Sequence, residues 1–452
     1  MSNCALPSVD FDVVIAGGGP AGLCTALELR RWGHRVCVVE RGSFEEPRIG
    51  EHLSARGVSL VASMGLGSHW DPSEHLLSPG MISVWGGAEP VDLPAFFRPE
   101  GAGVHIARPA FEQGLALALM ERGGEVRTRS RLEAIRREGD VFAIEVHSLG
   151  KSEELFARFL VDATGRPAAI ARRLGRKVVH RDRLIGLCAS SPGAHRVLEP
   201  MVEATPAGWW YSSSIPDGRA IAIYFTDADL REGETLSETW ARALMETSLS
   251  RSRLGEEARA WRPRGIDAGT QSLGGPPALG CVAVGDAALA LDPLSSSGLT
   301  RAIEGGKMAA LALHRAGGGD LGALARYESE LGSALREHQA GKARYYGLET
   351  RFLDEPFWQR RHALRAPIAR ILSPKDELCW GLEDAAVRPL ASLTPDIPVS
   401  ILRDLAEKPC SARCLAETLR SLYQYDDTEI VQLLHALVHS RSLRVLGGGW
   451  GA

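Results

Sequence analysis

The feature that most constrains this chain is the run Gly17-Gly18-Gly19-Pro20-Ala21-Gly22, set between two patterns of different period. Ahead of it, Phe11-Asp12-Val13-Val14-Ile15-Ala16 is short, apolar and β-branched, the signature of a buried strand. Behind it, Leu23 to Trp32 reads as a helix, and Arg35 to Val39 as a second buried strand ending at Glu40. The spacing G-x-G-x-x-G falls on Gly17, Gly19 and Gly22. Glycine at these positions permits a tight turn and lets the helix start approach a pyrophosphate without a Cβ clash. The N-terminus of that helix offers unpaired N–H groups and the positive end of its dipole to that phosphate. Glu40, followed by Arg41, stands 18 residues beyond Gly22, where a carboxylate accepts hydrogen bonds from a ribose. The whole unit predicts a dinucleotide site.

Composition narrows the partners. A chain of 452 residues has room for roughly two to four domains. Its net charge of −4 carries no basic footprint for nucleic acid. There is no basic-then-apolar leader and no run of 18 apolar residues, so the reading is a cytoplasmic protein with no membrane partner. Of its 52 basic residues 46 are arginine and the first lysine is Lys151, a bias that reads as a GC-rich genome. The eight cysteines show no zinc spacing and no metal site is expected; Cys24 and Cys37, inside the nucleotide unit, read as buried small hydrophobes.

Two later segments decide between nicotinamide and flavin. Val161-Asp162-Ala163-Thr164-Gly165-Arg166 follows a strand pattern and puts small residues, Gly165 among them, where the chain must pass close to a cofactor. Gly280 to Ala288 is again a buried strand, ending in Gly285-Asp286, whose carboxylate can bond a ribityl or ribose hydroxyl. Asp292-Pro293-Leu294-Ser295-Ser296-Ser297-Gly298-Leu299-Thr300 then feeds a helical run from Arg301 to Arg315. A loop of N–H groups and a helix N-terminus suit the negative charge that develops on a reduced isoalloxazine.

Over about residues 10 to 330 these segments resemble the group A flavoprotein monooxygenases and the flavin-dependent tryptophan halogenases, which share one fold. The resemblance implies an α/β fold, with an FAD-binding Rossmann-like domain of the p-hydroxybenzoate hydroxylase type interleaved with a β-sheet substrate domain. It implies FAD as cofactor, held by Gly17, Gly19, Pro20, Ala21, Gly22, Glu40 and Arg41 at the ADP half and by Asp286, Pro293, Ser296, Ser297, Gly298 and Leu299 at the flavin half. Arg108, in Arg-Pro-Ala-Phe-Glu, matches a family arginine that lies along the FAD, and Gly50-Glu51-His52 resembles a stretch that passes near the flavin. No second G-x-G-x-x-G unit follows, so NAD(P)H is expected only as a transient reductant.

Halogenases of this family carry a lysine in about their first hundred residues and a Trp-x-Trp-x-Ile-Pro motif. Here no lysine precedes Lys151, and Tyr211 and Ser213 stand where the tryptophans belong, although Ile215-Pro216 is kept. The resemblance then points to oxygen chemistry, in which reduced flavin and O2 give a C4a-hydroperoxide and an electron-rich ring attacks its distal oxygen. Trp209, Trp210 and Tyr211 are read as walls of a substrate pocket, or as sheet core. The catalytic set is taken as Glu51, His52, Tyr211 and Pro293, with His105 a further candidate base.

The flavin domain is assigned to 8–80, 105–185 and 275–330, the substrate domain to 80–105 and 185–275, and a helical region to 330–394. Residues 395–452 read as a small winged-helix-like module: a linker at Thr394 to Pro398, a helix marked by Leu415, Leu419 and Leu422, a second one capped at Asp427 or Thr428, and a strand from Leu443 to Leu446. From 397 to 452 six basic residues balance six acidic ones, which argues for docking a protein or peptide over binding DNA. Such a module suits the subgroup that hydroxylates a peptidyl tryptophan during tryptophylquinone biogenesis, as in quinohemoprotein amine dehydrogenase. A hydroxylase of a small aromatic metabolite, a flavin reductase like the geranylgeranyl reductases, and a flavin-bound scaffold without turnover remain alternatives.

Overall fold

The computed structural model describes residues 8–363 apart from 47, 79, 95–100, 194–198, 232 and 321, together with 377–380, 410–411, 414–415, 417–419 and 443–445. The chain forms two compact units, 1–364 and 365–452.

The first unit is built on two seven-stranded sheets. In one, Phe11–Ala16 lies between Val36–Val39 and Lys151–Asp162, parallel to both. Glu125–Arg127 extends it in parallel beyond Val36–Val39, and Cys281–Ala283 pairs in parallel with the end of Lys151–Asp162. Val141–Ser148 and Ser130–Glu138 complete it as an antiparallel meander. Strands covered on both faces read as continuous apolar runs, and Val13, Val14 and Ile15 are all buried. The helix Pro20–Arg31 begins with proline in its first turn and ends on Arg30 and Arg31, in keeping with the preferences of the two helix ends. It crosses the long helix Gly298–Gly317 at very short range. A Cβ on Gly306 would lie 2.6 Å from the Ala21 carbonyl, and the Thr25 hydroxyl reaches the carbonyls of both Ala21 and Gly306. This contact brings the start of the second helix over the same end of the sheet as the glycine run.

The other sheet is mainly antiparallel, in the order Arg264–Asp267, Leu184–Ser190, Ala220–Asp227, Gly208–Ser214, Met201–Thr205, Gly80–Val84, Val91–Pro94. Its alternation sorts one aromatic run onto two faces. Trp209 and Tyr211 join a cluster with Phe225, Tyr346 and Trp358, whereas Trp210 packs behind the sheet against Tyr224 and Trp240.

In the second unit, Glu377–Trp380 is the middle strand of three, antiparallel to Cys410–Ser411 and Leu443–Val445. That pairing assigns 377–380 to the C-terminal unit, so the division falls near 364 and not at the 394/395 boundary read from the sequence. Residues 414–415 and 417–419 are helical, with Leu415 and Leu419 buried. Leu422 and the helix capped at Asp427 or Thr428 lie outside the described residues.

Candidate cofactor and substrate site

The glycine run does two kinds of work. Gly17 has φ +113°, and a Cβ there would lie 2.2 Å from the Ala163 carbonyl. A Cβ on Gly22 would lie 2.1 Å from the Gly17 carbonyl. Both glycines let backbones touch, and Gly22 does not face the cavity. Gly19 differs: among the described residues nothing lies within 4 Å of its Cβ position, and it lines a cavity of about 1060 Å³ with Pro20, Ala21, Glu40 and Arg41. The helix behind it has no side-chain cap and no acid in its first turn, leaving its N–H groups for an anion. Glu40 is buried and held in place by the N–H groups of Gly18 (2.6 Å) and Gly42 (2.9 Å) and by Arg48 (3.1 Å).

Further along the same cavity stand Arg108, Gly165, Asp286, Gly298 and Leu299. Arg108 donates to the carbonyls of Ile49 (2.7 Å) and Gly50 (3.0 Å), while its Nε bonds buried Glu112. It therefore pins residues 49–50 to the start of the helix Arg108–Glu121. Asp162 organises the Ala-Thr-Gly turn from beneath: one carboxylate oxygen accepts from the N–H and hydroxyl of Thr164, the other from the N–H groups of Ile170 and Ala171. Asp286 faces the cavity; confinement raises its carboxyl above the usual range, against the pull of Arg166 and Arg108.

A second cavity of about 790 Å³ adjoins the first, and the two share Ile49, Gly50, Gly285, Asp286, Gly298, Leu299 and Ala302. Its walls include Glu51, His52, Trp209, Tyr211, Phe225, Pro293, Ser296 and Ser297. Trp209 stacks on Phe225 with ring centroids 4.1 Å apart. The Tyr211 hydroxyl donates to Glu51 Oε1 at 2.9 Å, and burial followed by the Glu51 charge holds its pKa well above that of a free phenol. The His52 ring meets His105 edge-on, and His105 Nδ1 lies 2.8 Å from Ser213 Oγ. Trp210 does not line this cavity: its neighbours in the strand point inward, so it points outward into the core. Ser296 adopts φ +48°, a left-handed conformation in a non-glycine residue, immediately before the uncapped helix that begins at Gly298.

Three participants carried no sequence signal that reasoning used. Arg166 lies between Asp267 (3.4 Å) and Asp286 (3.8 Å), where the cavities meet. Its place directly after Ala-Thr-Gly was the available clue. Lys342 and Tyr346, from the helix Ala323–Gly347, reach buried Asp292, and only the fold brings them there.

A cavity of about 1060 Å³ lined by a glycine cradle, the starts of two helices without side-chain caps and the Asp286 carboxylate fits FAD. The cradle residues would hold the pyrophosphate, Glu40 the ribose, and the 293–299 segment the ring system.

Comparison with known proteins bears on the same residues. Residues 10–213 match the family described as FAD binding domain. The chain is 31% identical over 365 residues to the FAD-dependent oxidoreductase LodB of Marinomonas mediterranea, covering 79% of this chain and 98% of that protein. Among solved structures, the flavin-dependent halogenase CmlS superposes with a TM-score of 0.72 at 18% identity, over 97% of this chain and 96% of that one. QhpG, described as a peptidyl tryptophan dihydroxylase essential for tryptophylquinone cofactor biogenesis, superposes at 0.65 with 20% identity, over 96% and 99%. Those two likenesses are of fold.

Proposed function

The chain belongs to the FAD-dependent oxidoreductases, and we propose that it is a monooxygenase that hydroxylates an aromatic ring, a tryptophan within a peptide, during tryptophylquinone biogenesis. The observation that carries this reading is the aromatic-walled cavity that meets the nucleotide cavity at seven shared residues. The shared fold with QhpG supports the substrate class.

Bound FAD, once reduced by NAD(P)H, supplies the activation of O2. The protein's own groups bind, orient and exclude water. Trp209 and Phe225 offer a flat apolar wall on which a planar ring stacks. Tyr211 stays protonated and donates to Glu51, which holds both side chains rigid at the wall. In this reading Glu51 and His52, which line the cavity, take a proton from the hydroxylated ring as aromaticity returns. Pro293 shapes the turn that leads into Ser296 and Ser297. The C-terminal unit docks the peptide that carries the target residue.

Purified FAD-loaded protein, given NADH or NADPH, O2 and a tryptophan-containing peptide from a candidate quinoprotein, is expected to add one or two oxygen atoms to the peptide, read by mass spectrometry. Oxygen entering only free tryptophan or a small phenol would move the reading to a small-metabolite hydroxylase. No oxygen in either would overturn it.

A further inference from the structure

Behind the aromatic cavity runs a chain of buried polar groups that ends on the turn facing the flavin side. The indole N–H of Trp209 does not point at the cavity it lines; it donates to the Tyr346 hydroxyl at 3.0 Å. The Tyr346 hydroxyl donates to Asp292 Oδ2 at 3.0 Å. Lys342, one turn earlier on the same helix, places its ammonium 3.0 Å from that oxygen and 2.6 Å from Asp182 Oδ2. The other Asp292 oxygen, Oδ1, accepts from the Leu294 N–H at 3.0 Å and so closes the turn Pro293–Ser295.

We propose that Lys342, Tyr346 and Asp292 are positioning residues that couple the Trp209 ring to the 293–297 turn, so that what occupies the aromatic cavity alters how the flavin end of FAD is held. This rests on the reading of that cavity as the substrate site.

Asp292, Lys342, Tyr346 and Trp209 are all buried, so a bond broken at one member leaves a buried polar group short of a partner. Asp292 cannot swing toward Tyr346 or Lys342 without changing its hold on Leu294. That turn leads directly into left-handed Ser296, a conformation maintained only while its surroundings impose it. Ser296 and Ser297 line the aromatic cavity, and Gly298, the next residue, lines both cavities. A ring that stacks on Trp209 and shifts it therefore pulls on the same carboxylate that sets the flavin-side backbone. Tyr346 serves as the joint because its one oxygen accepts from the indole and donates to the carboxylate.

The test reads FAD binding, with no turnover. Flavin-free wild-type protein, Trp209→Phe, Tyr346→Phe, the double variant, Lys342→Met and Lys342→Arg are titrated with FAD, and the visible spectrum of the bound flavin is recorded. Tyr346→Phe keeps its ring and removes both links of the hydroxyl, to the indole and to the carboxylate; Trp209→Phe removes only the indole link and leaves a smaller ring at the wall. Tyr346→Phe is expected to weaken FAD binding by about five- to twentyfold and to shift the flavin band. Trp209→Phe shifts the band in the same direction, and the double variant is no weaker than Tyr346→Phe alone. Lys342→Met behaves as Tyr346→Phe does, and Lys342→Arg restores most of the affinity. Wild-type affinity and spectrum in Trp209→Phe, or losses that multiply in the double variant, would overturn the coupling. Should Lys342→Met fail to fold, the phenylalanine pair decides alone. A wild-type protein that binds FAD yet oxygenates no peptide sinks the proposed function and leaves this coupling intact.

Discussion

The two cavities are made of different material. The nucleotide cavity is shaped by backbone: glycines that let strand, turn and helix touch, and two helix starts with free N–H groups. The aromatic cavity is shaped by side chains from distant segments, with Glu51, Trp209, Pro293 and Glu337 meeting only after folding. Backbone geometry tolerates few residue types, so it leaves a local trace in the sequence. A wall of side chains can be assembled in many ways and leaves none.

Within the first cavity, the largest contrast lies between two of the glycines. Gly22→Ala drives a methyl group to 2.1 Å from the Gly17 carbonyl and is expected to prevent stable folding, or to lower stability by more than about 3 kcal/mol. Gly19→Ala meets nothing within 4 Å among the described residues; its melting temperature should match wild type while FAD binding weakens at least about tenfold. Equal melting temperatures for the two variants would break the distinction.

The two faces of the strand Gly208–Ser214 supply the next contrast. Trp210→Ala empties a fully buried site between Tyr224 and Trp240 and should cost about 3–5 kcal/mol in denaturant unfolding, with the flavin spectrum unchanged in the folded fraction. A spectrum displaced as far as in Trp209→Phe would place Trp210 at the site after all.

His338 tests the region behind the aromatic cavity. Burial pushes its imidazole down from 6.5 to about 4, with Asp292 and Asp182 opposing and Arg301 and Lys342 assisting. Between those values the unfolded chain takes up a proton that the folded one refuses. Stability therefore falls as pH drops from 6.5 toward 4, by about 3 kcal/mol at most. His338→Gln should flatten that slope in urea titrations at pH 7, 6 and 5; an unchanged slope would assign the acid sensitivity elsewhere.

The smallest effect sharpens the chemistry of the wall. Tyr211→Phe keeps the ring and removes the bond to Glu51. Stability should change by about 1 kcal/mol, while the oxygenated peptide formed per NAD(P)H consumed falls about tenfold. Full coupling of reductant to product in this variant would remove Tyr211 from the catalytic set.

The nucleotide half was legible because its signals are local. The strand read before the glycine run is Phe11–Ala16, the helix read from Leu23 extends back to Pro20, and Glu40 sits at the end of the second strand. The Ala-Thr-Gly and Gly-Asp turns were readable for the same reason, since each ends a buried strand. Period-2 alternation was equally available for Gly208–Ser214, yet three consecutive aromatics do not say which face meets a cavity. The C-terminal division was misplaced because the strand Glu377–Trp380 takes its identity from partners about 30 and 65 residues further on.

What the sequence determined by itself is the dinucleotide-binding fold, since glycine spacing, strand period and a following acid act within a few tens of residues and obey rigid steric rules; FAD as its cofactor followed from the family resemblance that the later Ala-Thr-Gly and Gly-Asp turns carry. Only the tertiary structure decided that Trp209 turns inward and Trp210 outward, that Arg166 stands where the cavities meet, and that Lys342 and Tyr346 reach Asp292 across about 50 residues of chain. Those outcomes depend on long-range packing and on burial that restricts each polar group to the few partners the fold brings to it, and no local pattern encodes either.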